Sequence, residues 1–239
     1  ENFKIKTISI LSSPKQISNS GLSFNFSPYN DLIKNNKKNN YLGGLKYVLF
    51  NNQFLKYKNH KFHLKKINLI SVILGGSINN DYFEIIIEKL VINFAEIKFN
   101  FFFFEKNFSS NYIKTYLKKN KIKNINVIIN SNNIAYALYS SDLVITSGGY
   151  SSFECSFLEK PFLTIQISEL QKYNCESFQK LGSSINLGDI KNNKKNIFLI
   201  FKKLISNKRL LRQMIKNNKK LFKNWKSENL INSILKYIK

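Results

Sequence analysis

The feature that most constrains this chain is a rhythm that begins at Asn68. Short apolar runs of strand length alternate with segments of helical spacing. The first run, 68–74, is interrupted only by Ser71 and closes on Gly75-Gly76-Ser77. Over 81–94, Tyr82, Ile85, Ile86, Leu90 and Phe94 recur at helical intervals and share one side of a helix. The alternation continues with strands expected at 97–104, 125–129, 143–146, 162–167 and 184–187. Helices are expected at 109–119, from a cap at Asn132 or Asn133 to Tyr139, at 151–158 and at 168–181. Three helices, 190–205, 208–223 and 229–238, end the chain. Strands separated by helices pair in parallel, and continuous apolar runs are what a sheet covered on both faces needs. The pattern predicts an α/β fold: a Rossmann-like parallel sheet with helices on both faces.

The first 66 residues have a different character. Segments 4–11 and 22–26 read as short strands, the second stopped by Ser27-Pro28-Tyr29-Asn30. Residues 35–40 read as a solvated loop and 42–50 as an ordered connector. A basic stretch at 56–66 leads into the regular region and carries His60 and His63. With no cysteine or acidic partner near, they read as surface histidines, and no metal site is expected.

Composition narrows the classes of function. Of 239 residues, 43% are hydrophobic, enough for a sizeable core. The longest apolar stretch is far too short to span a bilayer, and no signal peptide is visible. Because the first residue is Glu1, a fragment or a trimmed product is expected. Cys155 and Cys175 form no C-x-x-C pair and suit the core of a cytoplasmic protein. The formal charge of +24 is almost all lysine interleaved with asparagine, as in 191–196. Arg209 and Arg212 are the only arginines. A nucleic-acid site favours the arginine fork, so the excess reads as AT-rich coding and not as dedicated nucleic-acid binding. A basic surface still suits a phosphate ligand or peripheral contact with an anionic membrane.

Ligands of parallel sheets bind at the carboxyl ends of the strands, which points to two glycine-rich turns. Gly75-Gly76-Ser77 follows the first strand of the regular region, and Gly148-Gly149-Tyr150-Ser151 follows a later one. Glycine permits close backbone approach, and a helix N-terminus presents free N–H groups to an anion. Each turn alone is as well explained by structure. Together they fit a diphosphate. The first lacks the G-x-G-x-x-G fingerprint and the P-loop lysine, which argues against a dinucleotide or NTPase site. Glu154 lies three residues after Ser151, in the expected first turn of the next helix. It fits two compatible roles, capping-box partner of Ser151 and acceptor of both hydroxyls of a ribose.

These residues carry a resemblance. The segments 74–77, 133–138, 141–154, 159–165 and 170–171 resemble the C-terminal half of GT-B nucleotide-sugar enzymes. Within that group the chain is most similar to the UDP-sugar hydrolase of pseudaminic acid biosynthesis and to spore-coat polysaccharide proteins. Residues 41–54, with Leu42-Gly43-Gly44, are similar to their entry to the second domain. A more distant relative is the N-acetylglucosaminyltransferase of peptidoglycan lipid synthesis. Departures are Ile78, where the hydrolases usually carry Asp, and Asn51, where Arg is common.

The resemblance implies that residues 1–66 are a remnant of an N-terminal domain plus connector, and that 67–239 form the nucleotide-sugar-binding domain. It implies that Gly148, Gly149, Tyr150 and Ser151 hold the diphosphate and that Glu154 holds the ribose. Asn130 and Ser131 face the uracil, Gly75, Gly76 and Ser77 border the sugar-phosphate, and Gln171 approaches the sugar. The implied activity is cytoplasmic processing of a UDP-sugar for surface polysaccharide or nonulosonic acid, of the hydrolase type. The alternatives are a glycosyltransferase with the same donor, or a non-catalytic half that needs a partner to supply the N-terminal domain. No catalytic base is identified, no cofactor is implied, and this segment alone is expected to be inactive.

Overall fold

The computed structural model describes residues 5–33, 37–38, 40–58, 66–75, 80–104 and 108–239. The chain begins with a small sheet in the order β1-β2-β4-β3. Its strands are β1 (Ile8–Ile10), β2 (Leu22–Asn25), β3 (Lys37–Lys38) and β4 (Tyr41–Gly43). β1, β2 and β4 run parallel, and β3 pairs antiparallel with β4. β3 corrects the expectation of a loop over 35–40. Asn40 takes φ of 65°, a left-handed conformation that asparagine tolerates, and the chain folds back on itself. Two short helices, α1 (Tyr29–Leu32) and α2 (Asn52–Leu55), flank the connector.

The rhythm from Asn68 onward becomes a six-stranded parallel sheet. Its elements are β5 (Leu69–Ile73), α3 (Asn80–Ile86), β6 (Lys98–Phe103), α4 (Phe108–Lys119), β7 (Ile125–Ile129) and α5 (Ile134–Ser140). They continue with β8 (Leu143–Ser147), α6 (Tyr150–Phe157), β9 (Phe162–Ile165), α7 (Glu169–Lys180) and β10 (Ser184–Asn186). Helices α8 (Lys194–Ile205), α9 (Lys208–Leu221) and α10 (Asn229–Ile238) close the chain. Spatially the strands lie β10-β9-β8-β5-β6-β7. Read from β7 in order of appearance, this is the Rossmann order 3-2-1-4-5-6.

Alternation along each strand divides the core into two layers. Ile70, Val72 and Leu74 join Phe99, Phe101 and Phe103 on one face, under α3, α4 and α8. Ile73, Phe102 and Val144 face the other way, under α5 and α6. This two-sided burial explains why the strands read as apolar runs.

Two helix boundaries differ from expectation. The helix over 81–94 continues past α3 as a π-turn at Ile87–Val91. The segment from Ile190 does not enter α8 until Lys194, because Asp189 takes the backbone N–H of Lys191 and the side chain of Asn192. The last helix returns to the small sheet, where Leu230 packs with Leu22, Phe24 and Tyr47. Just before it, the Trp225 indole N–H donates to the carbonyl of Val48 at 2.8 Å.

Candidate functional site

Strand order reverses between β5 and β8, which lie side by side. Such a switch point leaves a crevice beyond the strand ends, because the following helices diverge to opposite faces. The register sets Ile73 against Thr146, so the turns at Gly75 and Gly148 leave the sheet together. Gly75 has φ of 103°, a conformation that a side chain would strain. Here a cavity of about 410 Å³ opens, with Leu74, Gly75, Phe104, Tyr150, Ser151 and Gln171 on its walls. The first-turn N–H groups of α6 are directed toward anything held at its start.

A second cavity, of about 400 Å³, lies between this sheet and the small one. Leu11, Asn25 and Phe26 form its far side, and Gly148, Tyr150 and Gln171 its near side. Gly149, Tyr150, Ser168 and Gln171 border both cavities. Gln171 Oε1 is buried and has no hydrogen-bond partner. A buried, unsatisfied oxygen between two cavities is a place where a ligand hydroxyl would recover the lost hydrogen bond.

The two glycines of the second turn do different work. A Cβ on Gly148 would lie 2.6 Å from both Cys175 Sγ and the carbonyl oxygen of Gln171, so glycine here lets α7 pack against the turn. Gly149 is the N-cap of α6, and its N–H donates to Ser147 Oγ at 3.3 Å. Asn174, one turn after Gln171 on α7, donates to the Gly148 carbonyl at 2.8 Å. Sequence reading missed Asn174 and Phe104. The three-residue spacing of Gln171 and Asn174 on one helix was the available signal for the first.

Because Gly149 is the cap, the expected capping box is corrected. Ser151 is the second helical residue, and Glu154 is the fifth, beyond the first turn. The Ser152 hydroxyl donates back to the Gly149 carbonyl at 2.6 Å, and no side chain caps the N–H groups of the helix start. Glu154 is half-buried. Desolvation pushes its carboxyl up to about 7, against a smaller downward pull from the Ser151 hydroxyl. Tyr150 donates to the carbonyl of Leu49, which ties the turn to the connector. Its phenol is pushed up to about 12, by burial and then by the Glu154 charge.

The structure therefore gathers Gly75, Gly149, Tyr150, Ser151 and Gln171 around one cavity, with Gly148 behind them on the second. Glu154, Asn130 and Ser131 are not on its walls. Asn130 stands at the end of β7, with φ of 52°, and its N–H donates to the Phe103 carbonyl at 3.0 Å. Gly76, Ser77, His60 and His63 lie outside the described residues. Cys155 and Cys175 are both buried, and burial raises both thiols above their ordinary range.

A Rossmann-ordered sheet with glycine turns at its switch point, coupled through a cleft to a second small sheet, defines the C-terminal domain of a GT-B protein. Residues 70–230 match the glycosyltransferase family 28 C-terminal domain, and the chain belongs to that family. An uncharacterized protein of Methanocaldococcus jannaschii is 29% identical over 159 residues, which are 63% of this chain and 32% of that protein. The chain thus spans about a third of the length of the curated relative it matches. Among solved structures, Acinetobacter baumannii MurG is similar, with a TM-score of 0.63, 13% identity, and coverage of 98% of this chain and 67% of that one. S. aureus MnaA, solved with UDP, has a TM-score of 0.61 and 19% identity, over 92% of this chain and 60% of that one.

Proposed function

We propose that this chain is the donor-binding half of a UDP-sugar-dependent glycosyltransferase. The observation that carries the reading is the cavity at the switch point, where the start of α6, the Gly75 turn and the unpartnered Gln171 oxygen converge. The diphosphate lies at Gly149–Ser151, where helix N–H groups neutralise charge that grows on it as the sugar departs. Gln171 receives a sugar hydroxyl, and Glu154 turns to the ribose from the next turn of α6. Gly75, with Gly76 and Ser77, borders the sugar-phosphate, and Asn130 and Ser131 face the base. The acceptor enters from the cleft against the small sheet, across Tyr150 and Gln171.

The family match supports transfer over the hydrolase reading, and the UDP held by the MnaA structure supports the choice of nucleotide. Transfer and hydrolysis differ in whether an acceptor hydroxyl or water attacks, and in either case a base must take the proton. Calorimetry with UDP, ADP and a set of UDP-sugars tests the reading. Binding of UDP several-fold tighter than ADP is expected, and equal or better binding of ADP would refute it.

A further inference from the structure

We propose that Phe104 is a stacking platform for the nucleobase in the switch-point cavity, an assignment that rests on the nucleotide reading above. Residues 101–104 are four consecutive phenylalanines. The first three belong to β6 and are at least 96% buried, with Phe101 and Phe103 in one core layer and Phe102 in the other. Phe104 comes just after the strand, is 54% exposed and belongs to neither layer. Phe104 lines the switch-point cavity instead.

Its place in that cavity selects the part of the ligand it meets. The polar groups Ser147, Ser151 and Gln171 all come from the β8 and α7 side, where the diphosphate and sugar are placed. The wall near β6 is apolar, with Leu74 and Phe104. The hydrogen bond from Asn130 to Phe103 puts the end of β7 directly beside Phe104. A nucleotide with its phosphates on α6 reaches this side with its base. An exposed ring at that point gains by covering its face with another flat π-system, and the gain depends little on which base supplies it. Phe104 then adds affinity for nucleotides in general and does not itself choose the base.

The experiment is calorimetry of UDP, ADP and inorganic pyrophosphate with the wild-type chain and with Phe104→Ala, Phe104→Leu and Phe104→Tyr. Stacking on an aromatic side chain is worth about 1–3 kcal/mol per base, or roughly 5- to 150-fold in affinity. Phe104→Ala and Phe104→Leu are expected to lose UDP and ADP affinity in that range and in equal proportion. Phe104→Tyr should retain it, and pyrophosphate binding should be the same in all four proteins. Unchanged UDP affinity in Phe104→Ala overturns the proposal while leaving the nucleotide reading intact. So does full retention in Phe104→Leu, which would mean apolar packing without stacking, or an equal loss of pyrophosphate binding. A wild-type chain that binds neither nucleotide overturns the nucleotide reading and this assignment with it. Melting temperatures measured alongside are expected to be unchanged, since the ring is outside both cores.

Discussion

The side-chain amide of Asn174 donates to the backbone carbonyl of Gly148 at 2.8 Å, so helix α7 fixes the turn from which α6 begins. Asn174 is buried, as is Gly148. The same helix carries Gln171, so one element positions both the Gly148 turn and the unpartnered side-chain oxygen beside it.

Replacing Asn174 with Leu should therefore leave the Gly148 carbonyl buried without a donor. The expected loss is about 1–3 kcal/mol of stability, read by denaturant unfolding. Nucleotide affinity should fall as well, because the turn is no longer held. A variant with normal UDP affinity would show that α7 does not set the geometry of the site.

Gly148→Ala places a methyl group 2.6 Å from Cys175 Sγ and from the Gln171 carbonyl. Overpacking of this kind costs about 1–3 kcal/mol. Combining it with Cys175→Ala should recover only part of the loss, since the Gln171 carbonyl belongs to the backbone and stays where it is. Full recovery in the double variant would locate the whole clash at sulfur.

In the proposed ribose role, Glu154 links ligand binding to pH. Its carboxyl titrates near 7 when folded and near 4.5 when unfolded, so between these values the folded chain holds the proton that the unfolded chain has lost. Stability should fall as pH rises across that window. Glu154→Gln abolishes the fall and should melt higher than wild type at pH 8, with no difference near pH 4. UDP affinity should move the opposite way. At pH 8 the variant loses roughly ten- to a hundredfold, the value of a charge-assisted bond, and the gap closes below pH 7 as the wild-type carboxyl protonates. Equal affinities at pH 8 would remove Glu154 from the ribose site.

Lys160 behaves in the opposite sense. It is 0% exposed, donates to the Ser141 carbonyl at 3.0 Å and lies 5.1 Å from the Tyr139 ring centre. Burial depresses its ammonium from 10.5 to about 7, with a smaller upward pull from Asp142. Between pH 7 and 10.5 the unfolded chain binds the extra proton, so stability should rise with pH across this range. Thermal melts of wild type and Lys160→Met at pH 7 and pH 9 check this. The variant should lose most of the rise, and a rise of the same size in both would reassign it to other groups.

How much of this was legible depends on the range of the interaction involved. The central strands β5, β8 and β9 were readable because a parallel sheet buried on both faces forces them to be apolar runs, whatever lies around them. The glycine turns were readable because positive φ at Gly75 and the tight approach at Gly148 both exclude a side chain. Even there, the reason for Gly148 was not visible, since its partners Cys175 and Gln171 are more than twenty residues away. Glu154 shows the limit of spacing. Ser151 and Glu154 fit a capping box by count, yet Gly149 is the cap, which puts Ser151 inside the first turn of the helix.

The sequence by itself determined the order and kind of the elements, since those follow from local periodicity and backbone sterics. It also placed two glycine-rich turns at the carboxyl end of one sheet. Only the tertiary structure decided which side chains share a cavity, and two of them stand outside any local pattern. Phe104 differs from the three phenylalanines before it only in lying one residue past the ladder, and Asn174 gains its role from a carbonyl 26 residues earlier. Pairing across such distances is set when strands and helices close over one another, and burial then fixes which polar atoms must find partners and which remain free for a ligand.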